Sequence, residues 1–284
     1  MTVRGSAVVT GAARGLGLAI ATELHAAGYA VHLTDVDGPG VRAAAARIGA
    51  QVAERLGAQA VEPQAAELDV TDDAACRAVA AKAAEAPGGL AVWVNNAGLL
   101  ATGPSWTHDA ALRRRILEVN ALGAMNGTLA ALEHMRAAGR GHVVNVVSLA
   151  GLIAAPGETV YSASKHALIA FSLGTLGDLR AAGVRGVHIS CVCPDGMWTP
   201  MLHDKLTDDG AAASFTGTLL RPERVARRVA RIVERPRPVV SIPRWRGLQV
   251  RLLDALPGLA LPAAGLILAY GRAQQRRLAR RLPG

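Results

Sequence analysis

The chain has 284 residues, and its net charge of +9 is concentrated at one end. Residues 221–284 carry 15 arginines against three acidic residues, whereas the rest of the chain carries 16 basic and 19 acidic side chains. The three cysteines are too few for a disulfide framework, and the scattered histidines lack the spacing of a metal site. The length fits one large α/β domain with an extension, and the lack of a recognisable signal peptide predicts a cytoplasmic protein.

Short apolar strands alternate with alanine-rich helical stretches along residues 1–243. The predicted strands cover residues 7–10, 30–34, a weaker segment that ends at Leu68, 90–94, 142–147, 187–193 and 239–242. The predicted helices cover residues 15–27, 41–56, 71–86, 109–138, 159–182 and 223–234. This alternation, with right-handed crossovers, predicts a doubly wound parallel sheet of seven strands with helices on both faces.

Two segments depart from this regular pattern. Residues 195–220 are irregular, and we predict that they form a lid over the substrate, as part of a domain that spans residues 1–243. Residues 244–284 form a C-terminal helical extension that is first apolar and then rich in arginine. Its uncharged run at 255–270 is shorter than the about 20 residues that span a bilayer, and Pro257 and Pro262 oppose a straight helix. The arginines that follow are Arg272, Arg276, Arg277, Arg280 and Arg281.

Two interpretations of the extension are open. An apolar segment followed by a basic helix can make a peripheral contact with an anionic membrane through residues 250–284. Alternatively, the apolar part packs on a partner subunit and the basic end stays in solvent. Nucleic-acid binding is not expected, because the arginines lack interleaved aromatic residues and a recognition motif.

A glycine-rich turn joins the first strand to the first helix, with the sequence Thr10-Gly11-Ala12-Ala13-Arg14-Gly15-Leu16-Gly17. Its glycines let the backbone approach a pyrophosphate, whose charge the helix N-terminus attracts. Asp35 ends the second strand, where a carboxylate can bind both ribose hydroxyls of NAD and repel the 2′-phosphate of NADP. Arg14 favours NADP instead. The sequence therefore predicts NAD as the cofactor, with NADP as the alternative.

Tyr161 and Lys165 lie four residues apart, so they share one face of a predicted helix. A phenol with an ordinary pKa near ~10 is a poor base at neutral pH. A neighbouring ammonium group lowers that pKa, which predicts that Tyr161 exchanges a proton with an alcohol or a ketone. Ser148 ends the fifth strand, at the sheet edge where ligands bind, and its hydroxyl can hold the substrate oxygen.

In order and spacing, these motifs resemble those of the short-chain dehydrogenase/reductase family over about residues 4–243. The turn at 10–17 resembles the family's cofactor motif, and Asn120, Ser148, Tyr161 and Lys165 match its catalytic tetrad. Further matches are the adenine-contacting pair Asp69-Val70, the motif Asn95-Asn96-Ala97-Gly98 after the fourth strand, and Pro194, Gly196 and Thr199 beside the nicotinamide. Asp195 departs from the family, which usually has glycine at this position.

The resemblance implies a Rossmann fold and an NAD(P)-dependent oxidoreductase that interconverts a secondary alcohol and a ketone. It implies that Tyr161 is the general acid and base, that Lys165 also binds the nicotinamide ribose, and that Asn120 holds a water molecule in a proton relay. It also implies a homodimer or homotetramer. The alternative is a non-catalytic regulator or scaffold that binds the cofactor, although the intact set of Ser148, Tyr161 and Lys165 argues against it.

Apolar and soft side chains near the predicted site favour a hydrophobic alcohol or ketone as the substrate. They are Leu99, Leu152, Ile153, Val160, Met197, Trp198, Met201, Leu202 and Phe215. The sequence does not identify the substrate or the direction of the reaction.

Overall fold

The computed structural model describes residues 4–56 and 61–280, so Arg281 of the predicted basic end lies outside the described residues. Seven strands form one sheet in the order β3-β2-β1-β4-β5-β6-β7, and all neighbouring strands are parallel. The strands are β1 (Ser6–Thr10), β2 (Ala30–Asp35), β3 (Gln64–Glu67), β4 (Leu90–Asn95), β5 (Gly141–Val146), β6 (Val187–Pro194) and β7 (Val239–Ile242). The predicted doubly wound sheet is confirmed. The strand order reverses between β1 and β4, and such a reversal opens a crevice at the carboxyl ends of the strands.

Helices cover both faces of the sheet. They are α1 (Gly15–Ala26), α2 (Gly38–Leu56), α3 (Asp73–Ala84), α4 (Ala110–Leu117), α5 (Ala124–Ala137), α6 (Thr159–Ala181), α7 (Pro200–His203), α8 (Pro222–Glu234), α9 (Arg244–Ala255) and α10 (Pro257–Ala279). One core cluster joins the sheet to α1, α2 and α8, and another joins the opposite face to α3 and α5. The central strands are buried on both faces, which explains why they consist of unbroken apolar runs instead of alternating patterns.

The prediction of a single helix over residues 109–138 is wrong for the middle of this range. A π-helical segment, Glu118–Gly123, separates α4 from α5 and contains Asn120. Gly123 packs against Val70, whose Cγ2 would lie 2.5 Å from a β-carbon at position 123. The wider turn lets this stretch fit against the chain after β3, and such π-segments occur often at functional sites.

The C-terminal extension folds back onto the lid. A 3₁₀ segment, Asp209–Phe215, forms most of the contact between the lid and α10. The prolines are expected to oppose a single straight helix, and Pro257 indeed follows the break between α9 and α10, whereas Pro262 lies inside α10. Pro262 is exposed near the helix start, where its missing N–H leaves only the exposed carbonyl of Gly258 without a partner in the helix. Within the described residues, no helix has the length and apolar character to cross a membrane.

Candidate active site

One large cleft of about 550 Å³ opens at the carboxyl ends of the strands, beneath the lid. It brings together nearly every residue that the sequence singles out. The predicted residues that line it are Gly11, Arg14, Gly15, Leu16, Asp35, Asp69, Val70, Asn96, Ala97, Gly98, Ser148, Tyr161, Lys165, Pro194, Gly196 and Thr199. Gly17 and Asn120 lie behind the wall of the cleft, so they act on it indirectly.

The glycine-rich turn is held close to the end of β4. The side-chain Nδ2 of Asn96 donates hydrogen bonds to the carbonyls of Thr10 and Gly11, each at 3.0 Å. A β-carbon at Gly17 would lie 2.1 Å from the carbonyl oxygen of Gly11, so only glycine lets α1 begin this close to the turn. Gly11 itself has a φ of +65°, which glycine adopts without strain.

Asp35 lies at the end of β2, beside the glycine-rich turn. One carboxylate oxygen accepts the backbone N–H of Ala13 at 3.0 Å, and the other accepts that of Asp37 at 3.1 Å. A carboxylate has about four acceptor positions, so both oxygens can still accept a hydroxyl. Arg14 is exposed at the cleft and forms no ion pair with Asp35.

Asp69 and Val70 form the far wall of the nucleotide side. Hydrogen bonds from the backbone N–H and hydroxyl of Thr71 hold the Asp69 carboxylate, and Arg115 contacts its other oxygen at 3.3 Å. The backbone hydrogen bond from Thr71 is the largest of the effects that lower the pKa of Asp69. The backbone carbonyl of Val70 accepts from Asn126 at 3.0 Å, which ties this wall to α5. Sequence reasoning did not single out Arg115.

Burial dominates the electrostatics of the Tyr161–Lys165 pair. It raises the pKa of Tyr161, and the charge of Glu158 adds to the rise, whereas a hydrogen bond from Ser148 opposes it. Burial also lowers the pKa of Lys165 to about 8. Lys165 donates to the carbonyl of Val146 at 3.1 Å, with its Nζ 5.6 Å from the centre of the Tyr161 ring. The pKa of Tyr161 is therefore raised in the chain alone, opposite to the direction expected from Lys165, because burial disfavours the phenolate.

Asn120 is fully buried, whereas its residue type alone would place it at the surface. Its Oδ1 accepts the backbone N–H of Leu99 at 2.7 Å, and its Nδ2 donates to the Leu99 carbonyl at 2.8 Å and to Ser164 at 3.0 Å. A β-carbon at Gly98 would lie 3.2 Å from Asn120 Oδ1 and 3.6 Å from Lys165 Nζ. In this arrangement Asn120 fixes the chain after β4 against α6, and both of its amide hydrogens are used within the protein.

The substrate end of the cleft is apolar, but the predicted set of side chains is only partly correct. Leu99, Met197, Met201 and Leu202 line the cleft, and Leu100 joins them. The five that do not line it are Leu152, Ile153, Val160, Trp198 and Phe215. Phe215 packs in the interior of the lid, Leu152 and Ile153 pack beside β6, and the ring of Trp198 lies 4.0 Å from that of His203. Phe215, Leu152 and Ile153 therefore pack within the protein, although the sequence pattern assigns them to the substrate.

Comparison with known proteins agrees with this geometry. The family model for short chain dehydrogenases matches residues 6–210. The chain is 32% identical over 257 residues to the oxidoreductase SadH of Mycobacterium tuberculosis, with 88% of each protein covered. It is 34% identical to a 1-deoxy-11-beta-hydroxypentalenate dehydrogenase of Streptomyces exfoliatus, with 72% of each covered. A crystal structure of a Burkholderia phymatum short-chain dehydrogenase/reductase in complex with NAD superposes with a TM-score of 0.79, at 27% identity, covering 91% of this chain and 96% of that one.

The chain belongs to the short-chain dehydrogenase/reductase family. The fold and the family that the motifs imply are thus confirmed, and the chain is a member of a family of oxidoreductases. Two buried acidic side chains near its cleft, Glu158 and Asp195, are not expected from the family motifs.

The first of these is Glu158, three residues before Tyr161 and only 3% exposed. Its Oε1 accepts the backbone N–H and the hydroxyl of Ser214, at 3.2 Å and 2.6 Å, which ties the start of α6 to the lid. Burial raises the pKa of Glu158 to about 7, and the charge of Asp208 adds to the rise. One feature of the sequence could have drawn attention to Glu158: glutamate stands at an N-cap position that Ser, Thr, Asp or Asn usually occupies.

The second is Asp195, which stands where this family usually has glycine. Its Oδ2 accepts Nε of Arg246 at 2.9 Å, and both side chains are nearly buried, at 7% and 13% exposed. The same guanidinium donates to Thr216 at 3.0 Å and to Gln249 at 2.8 Å. Arg246 lies on α9, so the extension neutralises a carboxylate beside the predicted nicotinamide motif. Nothing in the local sequence pairs these two residues, which are 51 positions apart.

We predict that Glu158→Gln stabilises the protein above neutral pH. Because folding raises the pKa of Glu158 from 4.5 to about 7, the folded state binds more protons than the unfolded state between these values. Stability therefore falls as the pH rises through this window, by up to ~3 kcal/mol. Glutamine keeps an acceptor for Ser214 but carries no charge, so thermal melts should show a higher Tm than wild type at pH 8 and a much smaller difference at pH 5.

Ser214→Ala provides the opposing control for that experiment. Loss of the Ser214 hydroxyl leaves the buried carboxylate with one donor fewer, so its pKa should rise further and the total loss of stability between low and high pH should become larger. An equal difference between wild type and Glu158→Gln at pH 5 and pH 8 would contradict the assignment.

We also predict that Arg246→Met destabilises the protein by about 3 kcal/mol, because it leaves the buried Asp195 carboxylate without its counter-charge. Adding Asp195→Gly, which restores the family's usual residue, should recover most of that loss. Urea unfolding of the two single variants and the double variant measures the coupling. Arg4→Met is the matched control: it breaks an ion pair whose side chains are 47% and 53% exposed, and it should cost under about 1 kcal/mol. Additive losses in the double variant would refute the pairing.

Proposed function

We propose that this protein interconverts a hydrophobic secondary alcohol and the corresponding ketone, with NAD(H) as the cofactor and Tyr161 as the general acid and base. The observation that carries the proposal is the placement of Ser148, Tyr161 and Lys165 in the same cleft as the glycine-rich turn. A scaffold that only bound a cofactor would have no need for all three side chains at the catalytic end. No observation favours the non-catalytic alternative.

The nucleotide side of the cleft fits NAD. The turn at 10–17 leads into the N-terminus of α1. Because Gly11 and Gly15 have no β-carbon, the backbone of the turn can closely approach a pyrophosphate there. Asp35 presents a carboxylate to the adenosine ribose, which favours the free hydroxyls of NAD over the phosphate of NADP. Lys165 and Asn96 lie beside the nicotinamide end that the family motifs define. When bound, NAD accepts a hydride from the alcohol carbon, or NADH returns one to the ketone.

The side chains of the protein handle the proton and the substrate oxygen. Ser148 donates a hydrogen bond to that oxygen and stabilises the charge that develops on it. Tyr161 transfers its hydroxyl proton to the oxygen during reduction, or accepts the alcohol proton during oxidation. The phenol of Tyr161 is protonated at neutral pH, which is the form that donates a proton during reduction, and burial raises its pKa further. Lys165, with a pKa lowered to about 8, is the adjacent group that can resupply a proton.

The substrate end favours an apolar molecule, since Leu99, Leu100, Met197, Met201 and Leu202 line it. One relative is named for the oxidation of 1-deoxy-11-beta-hydroxypentalenate, and another, from Xanthobacter autotrophicus, for that of 2-(S)-hydroxypropyl-CoM. Both names describe hydroxylated carbon compounds, which supports an alcohol as the substrate class here.

The proposal also includes association of the chain into a homo-oligomer. It would cover apolar side chains that α5, α6 and the π-segment expose, namely Leu122, Leu129 and Leu173.

The test is NADH formation from NAD with a panel of hydrophobic secondary alcohols. Tyr161→Phe should lower kcat at least about 100-fold, because it removes the proton-transfer group but keeps the ring. NADH binding, measured by fluorescence titration, should stay within a factor of about two. Tyr270→Phe, on the exposed face of α10, is the matched control and should turn over like wild type. Tight NADH binding without turnover of any alcohol or ketone would favour the non-catalytic alternative.

Cofactor preference gives a separate prediction. The ratio of kcat/KM for NAD to that for NADP should exceed one in the wild type and fall by at least about tenfold in Asp35→Ser, because the repulsion of the 2′-phosphate is lost and Arg14 remains. Asp37→Ser is the matched control, since the Asp37 carboxylate accepts Gly40 N–H and lies outside the cleft lining. A wild type that prefers NADP would overturn the NAD assignment while leaving the alcohol chemistry intact.

A further inference from the structure

The outer face of α9 carries an exposed apolar stripe. Trp245, Leu248 and Leu252 follow one another at intervals of three or four residues, so they lie on one side of the helix, and Leu256 follows directly after its end. Their exposed fractions are 63%, 63%, 58% and 55%. A surface helix of a globular protein normally turns such a stripe towards the core. Here the stripe faces solvent, while Arg246 and Val250 on the other side of α9 hold the helix to the body.

The apolar surface continues along the first half of α10. Leu259, Leu266 and Tyr270 lie on one side of this helix and are between 55% and 79% exposed. The opposite face of α10 is fixed: Gln275 is buried and donates to the backbone carbonyls of Lys205 and Asp208 in the lid, at 2.6 Å and 2.8 Å. Contacts with the lid therefore determine which face of α10 points outwards. A row of exposed apolar side chains on two successive helices is typical of an interaction site.

A cluster of arginines borders the apolar stripe. Arg237, Arg244 and Arg251 surround a cavity of about 230 Å³ between β7 and α9, and Leu248 of the stripe lines the same cavity. Within the described residues none of the three arginines forms an ion pair. Their positive charge also reaches α8, where burial and then repulsion by Arg244 lower the pKa of Arg228. The cavity is therefore a site of uncompensated positive charge beside exposed leucine.

We propose that the outer face of α9 and the first half of α10 bind the surface of an anionic phospholipid bilayer. The apolar stripe enters the boundary between headgroups and acyl chains, and the cavity of three arginines takes a headgroup phosphate. Guanidinium groups suit this role because they present paired donors to phosphate oxygens. Amphipathic helices with apolar side chains on one side and arginine at its border lie in the membrane plane in this way.

Charge argues for a lipid surface over a second copy of the chain. A two-fold interface would place this face against itself, so six arginines, three from each subunit, would share one desolvated contact. Residues 221–284 have only three acidic side chains with which to compensate 15 arginines. An anionic bilayer supplies both an apolar layer and the counter-charge.

Flotation of the full chain with phospholipid vesicles tests the proposal without any substrate, so its outcome is independent of the proposed reaction. The protein should float with vesicles that contain phosphatidylglycerol and stay at the bottom with pure phosphatidylcholine. Fluorescence of Trp245 should shift to shorter wavelength on binding and be quenched by brominated acyl chains, and Trp245→Phe should remove that signal. The double variant Arg244→Gln/Arg251→Gln should bind about 30-fold more weakly, from the loss of two basic side chains near the surface.

Matched variants separate this site from general charge. Arg47→Gln/Arg114→Gln removes two exposed arginines from α2 and α4 and should bind vesicles like wild type. Leu248→Ser/Leu252→Ser keeps every charge, should melt like wild type because both leucines are exposed, and should lose binding. Absence of flotation with phosphatidylglycerol, equal losses in both arginine pairs, or binding of inorganic phosphate without binding of vesicles would each overturn the proposal. So would a wild-type oligomer that Leu248→Ser/Leu252→Ser splits and that never binds vesicles, since a second copy would then cover the face.

Discussion

The contact between the carboxyl ends of β1 and β4 fixes the geometry on which the rest of the cleft depends. The Thr10 hydroxyl accepts the backbone N–H groups of Asn96 and Ala97, at 3.0 Å and 3.1 Å, while the Asn96 amide binds the carbonyls of Thr10 and Gly11. This is the point where the strand order reverses and a parallel sheet opens a crevice. Because these four hydrogen bonds join the two strand ends, the glycine-rich turn and the chain after β4 keep a fixed relative position. Gly17 lets α1 begin close to that contact.

Desolvation, more than attraction between partners, sets the proton chemistry at the other end of the cleft. Burial raises the pKa of Tyr161 and Glu158 and lowers that of Lys165, so all three groups shift towards their neutral forms. A phenol in such a site gives up its proton only when nearby charge stabilises the phenolate.

The features that follow from local sequence patterns were predictable, whereas those that depend on contacts between distant parts of the chain were not. The strands, the glycine-rich turn, and Ser148, Tyr161 and Lys165 follow from periodicity, spacing and the family resemblance, and the structure brings those side chains into one cleft. The π-segment around Asn120 depends on how Gly123 packs against Val70, which no local pattern records. The pair of Asp195 and Arg246 joins parts of the chain that are far apart in sequence. Phe215 shows the same limit, because an apolar residue in a lid can pack inwards as readily as it faces a substrate.

The C-terminal extension connects two surfaces that sequence patterns treat as separate. Gly271 packs so closely on the lid that a β-carbon there would lie 2.1 Å from the Ala212 carbonyl oxygen, and Gln275 binds two lid carbonyls on the same face of α10. Arg246 likewise joins α9 to Asp195 and Thr216 at the two ends of the lid. The lid therefore rests on helices whose opposite faces are apolar and exposed. Movement of the lid away from α9 and α10 would break the hydrogen bonds that Arg246 and Gln275 make to it.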